Sequence, residues 1–204
     1  MSSIFSPPSL DDFIRLLQAW KFWVVGAIIG SLMGAVVYAI VPPTYRARAT
    51  VSVDFNLEQA WPQETDRQQF YYLERETRKL EDIAWSDDVM KMLSSSLLVP
   101  VEQLRDGKLK LSQPAEAGWH FYAEDKNPER ARELAAAWAK LFEQKVQDNI
   151  ANSQGLNSFI QVDATQTENL SVARSISLST YVLTGAVLFL ALSAMGVLFF
   201  SKPQ

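Results

Sequence analysis

The chain has 204 residues, of which 48% are hydrophobic and 21% are charged, and its formal net charge is −4. This balance disfavours a nucleic-acid-binding protein, for which a concentrated basic face is expected. The sequence contains no cysteine, which excludes disulfides, thiol catalysis and cysteine-based metal sites.

Two long apolar segments frame the chain, at residues 22–41 and 178–200, and neither contains a charged residue. A helix needs about 20 apolar residues to cross the hydrocarbon core of a bilayer. Both segments are therefore predicted to be transmembrane helices. Residues 42–177 would then form one domain on one side of the membrane, with residues 1–21 and 201–204 on the other. A cleaved signal peptide is the alternative for the first segment, but its apolar run is long and acidic residues precede it.

Three glycines recur every fourth residue in the first segment, at Gly26, Gly30 and Gly34. This spacing places them on one helix face, where another helix can approach closely. The pattern predicts a seam for helix packing or oligomerisation. The alternative is the ordinary enrichment of glycine in membrane helices. The second segment carries Gly185 and Gly196 without a matching repeat.

The first half of the central domain begins after Pro42-Pro43, which ends the first helix. Residues 45–55 alternate between apolar and polar side chains, which predicts a strand with one buried face. Residues 56–64 are expected to form a loop, and a helix should follow the capping pattern at Thr65. The predicted apolar face of that helix consists of Phe70, Leu73, Thr77, Leu80 and Ile83. Ser86 is expected to cap a second helix.

The second half of the domain reads as strand, strand, helix and strand. The strands are predicted at 108–112, 119–123 and 160–164, and the long helix begins at Asn127-Pro128 and ends near Ile150. Residues 165–177 are polar and return to the membrane. The pattern predicts an α+β fold, in which the first and last strands pair in a membrane-proximal, antiparallel-rich sheet with helices on one face.

No catalytic constellation is apparent. The single histidine, His120, is expected to point from its strand toward solvent or a polar neighbour, and no phosphate-binding loop or serine nucleophile elbow is present. Glu74, Glu76, Glu81 and Asp82 are interpreted as a solvated helix surface with ion pairs. We therefore expect no enzymatic activity, no cofactor and no metal site.

Arg46 and Arg48 are the most informative charged residues, because they lie on the polar face of the first predicted strand, near the first span. They could meet lipid phosphates or a lipid-linked pyrophosphate, and Arg174 approaches the membrane from the other end of the domain. The alternatives are pairing with Asp163 on a neighbouring strand or simple anchoring at the membrane interface.

From residue 21 to residue 200 the chain resembles the bacterial polysaccharide co-polymerases, the Wzz-type chain-length determinants. The resemblance is carried by the order of three motifs with the two spans. They are Pro42-Pro43-Thr44-Tyr45-Arg46-Ala47-Arg48-Ala49, the segment 86–97 with the strand 109–112, and the Asp-Pro-like helix opening at Asp125, Pro128 and Ala131. The chain resembles a short form, with no kinase domain, in which residues 147–158 stand where family members carry a long helical extension.

This resemblance implies a non-enzymatic protein of the bacterial inner membrane, with cytoplasmic ends and a periplasmic central domain. Such a protein forms homo-oligomers and controls the chain length, polymerisation or export of a surface polysaccharide, such as a lipopolysaccharide or exopolysaccharide. Its implied partners are the polymerase or export machinery, the lipid bilayer and a lipid-linked glycan, but no nucleic acid. The alternative is a two-span periplasmic sensor or adaptor subunit. An enzyme acting on lipid-linked sugars is a third interpretation, which the missing catalytic cluster disfavours.

Overall fold

The computed structural model describes residues 14, 17–60, 66–113, 118–153 and 155–200. The chain divides into two units, a helical pair within residues 1–42 and 176–204 and a domain over residues 43–175. Most of the predicted segment 1–21 and all of the predicted tail 201–204 lie outside the described residues.

The helical pair consists of α1, Trp20–Ile40, and α7, Leu178–Phe200. Both contain a stretch long and apolar enough to cross a membrane, Trp20–Ile40 and Leu178–Leu198. The buried residues of α1 are its three seam glycines, whereas large apolar side chains such as Leu32 and Leu183 are exposed. A core helix of a water-soluble protein would bury such side chains, so this exposed apolar surface fits a helix pair surrounded by lipid.

The domain is built around one antiparallel sheet with a long central strand, β1, Tyr45–Asp54. One edge of β1 pairs with β3, Trp119–Asp125, which in turn pairs with β2, Leu109–Ser112. The other edge is shared, because β5, Val172–Arg174, pairs with the beginning of β1, and β4, Gln161–Gln166, pairs with its second half.

The helices of the domain differ widely in length. They are α2 at Leu57–Ala60, α3 at Asp66–Ala84, α4 at Asp87–Leu97, α5 at Val101–Gln103, continued by a π-type turn at Leu104–Lys108, and α6 at Pro128–Ala151. The longest of them, α6, packs on β1 and β3, and α3 and α4 pack on α6.

Aromatic side chains fill the space between α6 and the sheet. Trp138 is fully buried, its ring centroid lies 4.8 Å from that of Phe121, and its indole N–H donates a 2.9 Å hydrogen bond to the carbonyl oxygen of Ala84. Phe142 stacks on Trp119 with a centroid distance of 5.6 Å. These contacts join the sheet, α6 and the end of α3 in one core.

The mixed helical and antiparallel-sheet fold is confirmed, and β1 pairs with β4 as predicted for the first and last strands. Two short elements differ from the predictions. Helix α2 lies in a segment predicted to be a loop, and β5 lies in the stretch predicted to be only a polar return. Strand β5 is defined by its ladder to Tyr45–Ala47, and a three-residue strand is too short to show an alternating pattern.

The buried face of α3 also differs from the prediction. Its buried residues follow one every-fourth stripe, Tyr72, Glu76, Leu80 and Ala84, whereas Phe70 is 63% exposed. Three consecutive aromatic residues, 70–72, span more than half of the helix circumference, so the helical period alone does not select one of them. The packing of α3 on α6 makes that selection.

Candidate functional site

The three seam glycines contact the other apolar helix of the same chain. A side chain built on Gly30 would overlap the carbonyl group of Gly185, and the Cβ atom of Phe189 would lie only 2.7 Å away. Gly34 lies against the backbone of Tyr181, and Gly26 lies against Ser193. The two helices are therefore antiparallel, and their backbones approach closely where side chains are missing.

The matching ridge on α7 consists of Tyr181, Gly185, Phe189 and Ser193, again at every fourth residue. The sequence alone does not reveal this ridge, because its members differ in size and polarity, although their spacing equals that of the glycines. Gly196 lies off the ridge, and no described atom lies within 4 Å of a Cβ built on it. The glycine face is thus occupied within the chain, and its role in oligomerisation stays a prediction.

A second candidate site is the polar face of the sheet, defined by the side chains of Arg46, Arg48 and Thr50 on β1 and of their partners across the strand. These partners on β3 are Glu124, Tyr122 and His120, respectively. All six side chains are half-buried or exposed, whereas the alternating residues Ala47, Ala49 and Val51 are fully buried. The alternation of side chains along β1 therefore produces one face that packs in the core and one face that presents polar side chains.

Arg46 forms an ion pair with Glu124. Its Nε donates a 2.7 Å hydrogen bond to Oε1 of Glu124, and its Nη2 contacts the same oxygen. The alternative in which Arg46 or Arg48 pairs with Asp163 does not hold among the described residues. Strand β4 joins β1 only from Thr50 onward, which places Asp163 opposite Ser52 and away from both arginines.

Arg48 has a different environment from Arg46. It is exposed, and it forms no salt bridge with a described residue. Its neighbour across the strand is Tyr122, and the neighbour of Tyr122 on the far side is Lys110 of β2. Lys110 is likewise exposed and outside the ion pairs of the described residues. Arg46 and Arg48 therefore differ in the structure, because the first is paired with a carboxylate and the second is not.

His120 has the polar neighbour that its strand position predicted. Its Nδ1 lies 3.2 Å from the hydroxyl oxygen of Thr50. Burial, followed by the positive charge of Arg48, lowers the pKa of His120 below its ordinary value of 6.5, so the ring is neutral at pH 7. Within the described ranges, no group of three histidine, aspartate or glutamate side chains could hold a metal ion.

The Asp-Pro-like motif forms the start of α6. The side chain of Asn127 caps the helix by accepting hydrogen bonds from the N–H groups of Glu129 at 2.8 Å and Arg130 at 3.3 Å. Asp125 accepts bonds from the Asn127 N–H at 3.0 Å and the Lys108 ammonium at 2.9 Å. Burial raises the pKa of Asp125, but these bonds, with Lys108 and Arg130 nearby, hold it below 3.8.

Pro128 occupies the first turn of α6, and Ala131 is fully buried. The motif near the start of the domain is similarly structural in part, since Ala47 and Ala49 lie under α6 with no exposed surface and Tyr45 packs against the same core. These residues stabilise the fold by packing in or against the core, whereas Arg48 lies on the polar face.

Glu76 corrects the interpretation of the α3 carboxylates as a solvated surface. Glu81 and Asp82 are exposed, and Glu74 forms the expected ion pair with Arg78 at 2.6 Å, but Glu76 is only 1% exposed. One oxygen of Glu76 accepts bonds from Arg75 at 3.0 Å and Lys79 at 2.9 Å. Its other oxygen has no hydrogen-bond partner in the described part of the chain.

No protein-family model matches this chain, and no curated protein matches it significantly. Its function must therefore follow from its own residues and their arrangement.

Proposed function

We propose that the protein is a non-enzymatic, homo-oligomeric protein of the bacterial inner membrane that controls the chain length, polymerisation or export of a surface polysaccharide. In this proposal it is a short form of the Wzz-type co-polymerases, α1 and α7 span the membrane, and residues 42–177 are periplasmic. The helices of the domain cover one face of its sheet, which leaves the polar face accessible to a glycan or to the polymerase or export machinery.

The observation that carries the proposal is the pairing of the two ends of the domain. Tyr45 at the start of β1 lies opposite Arg174 in β5, and the Ser175 N–H donates a 2.8 Å hydrogen bond to the carbonyl oxygen of Thr44. Only residues 41–44 separate β1 from α1, and only residues 175–177 separate β5 from α7. An extended residue covers at most about 3.6 Å, so both connections are short tethers at one end of the sheet. A domain held in this way suits a scaffold at the membrane surface.

Deletion of the gene tests this proposal. We expect the length distribution or the surface yield of a polysaccharide to shift, while its sugar composition and linkages stay unchanged, because the protein performs no chemistry. Gel and size-exclusion profiles of the glycan from wild-type, deleted and complemented cells measure this. Identical profiles and yields in all three strains would reject the regulator and favour the periplasmic sensor or adaptor.

Reporter fusions test the proposed topology separately. Alkaline phosphatase inserted at Gly155, an exposed position with a φ of 77°, should be active because it would be periplasmic. The same enzyme fused after Gln204 should be inactive. The reverse pattern would contradict a periplasmic domain.

A further inference from the structure

A row of three side chains crosses the polar face of the sheet. Lys110 on β2, Tyr122 on β3 and Arg48 on β1 lie directly opposite one another in the strand register. Neighbouring strands are about 4.8 Å apart, so the row places one cationic side chain on each side of a tyrosine ring. The guanidinium of Arg46 lies 5.8 Å from the centroid of the same ring.

The positive charge of this row is not neutralised by the described residues around it. Glu124 compensates Arg46, but Arg48 and Lys110 are exposed and join none of the described salt bridges. Apart from Glu124, the acidic strand residues of the same face are Asp54 and Asp163, and they lie toward the other end of β1, beyond Thr50. The end of the face nearest the tethers therefore has an excess of positive charge, centred on Tyr122.

The next row of the same face has groups that can both donate and accept hydrogen bonds. It runs through Ser112, His120, Thr50 and Gln166 in consecutive register. His120 is neutral at pH 7 because burial and Arg48 lower its pKa, so its ring has one donor and one acceptor nitrogen. Hydroxyl, imidazole and amide groups of this kind match the hydroxyl groups of a sugar.

We propose that this face binds an acidic saccharide, with a sugar ring against Tyr122 and its carboxylate between Arg48 and Lys110. The choice of a saccharide rests on the proposed function, and the acidic class follows from charge complementarity. A neutral sugar would leave both cationic groups without a counter-charge. Lipid phosphates would also neutralise the two cationic groups. They would not account for the aromatic ring or for the adjoining row of hydroxyl, imidazole and amide groups, which a sugar can contact.

The test measures binding of a galacturonic acid hexamer to the full-length chain in nanodiscs of zwitterionic phosphatidylcholine, by titration calorimetry. Wild-type protein should bind it saturably, and maltohexaose, a neutral hexamer, should bind at least about tenfold more weakly. Arg48→Gln with Lys110→Gln should weaken binding of the acidic hexamer about tenfold or more, because the variant removes both charged donors to the carboxylate.

A matched control removes the same charge elsewhere. Lys91→Gln with Lys140→Gln changes two exposed residues of α4 and α6, and it should leave the affinity unchanged. Tyr122→Phe should retain the affinity within about threefold, whereas Tyr122→Ser should lose it, since the ring face carries the contact with the sugar. Near-ultraviolet circular dichroism checks that each variant is folded.

Four results would overturn this inference. They are the absence of saturable binding, equal binding of maltohexaose, equal losses in the control pair, and retained affinity in the folded Arg48 and Lys110 variant. A different pattern would assign the face to the bilayer surface instead. In that pattern the protein does not bind the hexamer but binds added vesicles rich in phosphatidylglycerol, and the Arg48 and Lys110 variant loses this vesicle binding. The gene-deletion phenotype does not depend on any of these outcomes, so the two proposals can fail separately.

Discussion

The packing inside the domain and the packing inside the helical pair follow opposite principles. In the domain, large side chains such as Trp138, Phe121 and Phe142 fill the space between α6 and the sheet. In the helical pair, the closest approach occurs where side chains are missing, with Gly30 against Gly185. The difference reflects the surroundings that each unit suits.

In water, burying a large apolar side chain stabilises the fold by about 1.5–3 kcal/mol, so size is an advantage in the core. In lipid that advantage disappears, because acyl chains are as apolar as leucine. Helices then associate through close backbone packing, for which small residues are required. A change from large to small should therefore damage the domain, and a change from small to large should damage the helical pair.

The largest effect is expected in the domain core. Trp138→Ala should lower the free energy of unfolding of the domain by about 3–5 kcal/mol, since it leaves a cavity and removes the hydrogen bond to the Ala84 carbonyl. Urea unfolding of the full chain in detergent, followed by near-ultraviolet circular dichroism, measures this. Phe70→Ala, at a side chain that is 63% exposed, is the control and should cost less than about 0.5 kcal/mol. Equal losses would show that α6 does not organise the core.

A bulky residue should separate the helical pair. Gly30→Leu forces a side chain into the carbonyl of Gly185, whereas Gly196→Leu meets no described atom within 4 Å. Cysteines introduced at Tyr38 and Tyr181, whose ring centroids lie 5.6 Å apart, should be joined within one chain by a short, flexible thiol-reactive cross-linker. The cross-link yield should fall several-fold with Gly30→Leu and stay constant with Gly196→Leu. An unchanged yield together with an altered oligomer would instead assign the seam to contacts between chains.

The buried carboxylate of α3 should matter little to stability. Glu76→Met replaces a carboxylate that is 1% exposed, and its partners Arg75 and Lys79 keep 62% and 38% of their side-chain surface exposed to water. We expect the free energy of unfolding to stay unchanged or to rise by about 1 kcal/mol, because the desolvation cost of the carboxylate disappears. The same urea experiment measures this. A loss above about 1 kcal/mol would show that the ion pairs hold α3 in place.

The smallest effect should come from His120. Because its pKa is lowered in the folded state, the unfolded chain binds the proton more readily, and stability should decrease as the pH falls below about 6.5. His120→Gln removes this contribution, so its melting temperature should change less than that of the wild type between pH 7.5 and pH 5.5. Parallel curves for the two proteins would show that His120 does not contribute to the pH dependence.

Much of the fold was predictable because the patterns are long. Ten residues of alternating polarity identified β1, and the capping residues Ser86 and Asn127 located the starts of α4 and α6. Short or ambiguous patterns were not sufficient. Strand β5 has three residues, and the aromatic run 70–72 left the buried face of α3 undetermined.

The candidate sites depended more on tertiary structure. The sequence placed Arg46 and Arg48 on one strand face, and this is retained. It did not reveal that Glu124 pairs with the first arginine, or that Tyr122 and Lys110 lie beside the second. These partners are far apart in the chain, and a shift of one residue in register would change every one of them.

The two apolar helices, the strand with one packing face and the glycine face could be located from the sequence alone, because each depends on the composition or the period of one short stretch of the chain. Which residues meet depends on the tertiary structure. It placed the glycines of α1 against the ridge of α7, and it set Lys110, Tyr122 and Arg48 in one row. The physical reason is that contacts between distant segments depend on strand register and helix packing, which the periodicity of a single segment does not encode.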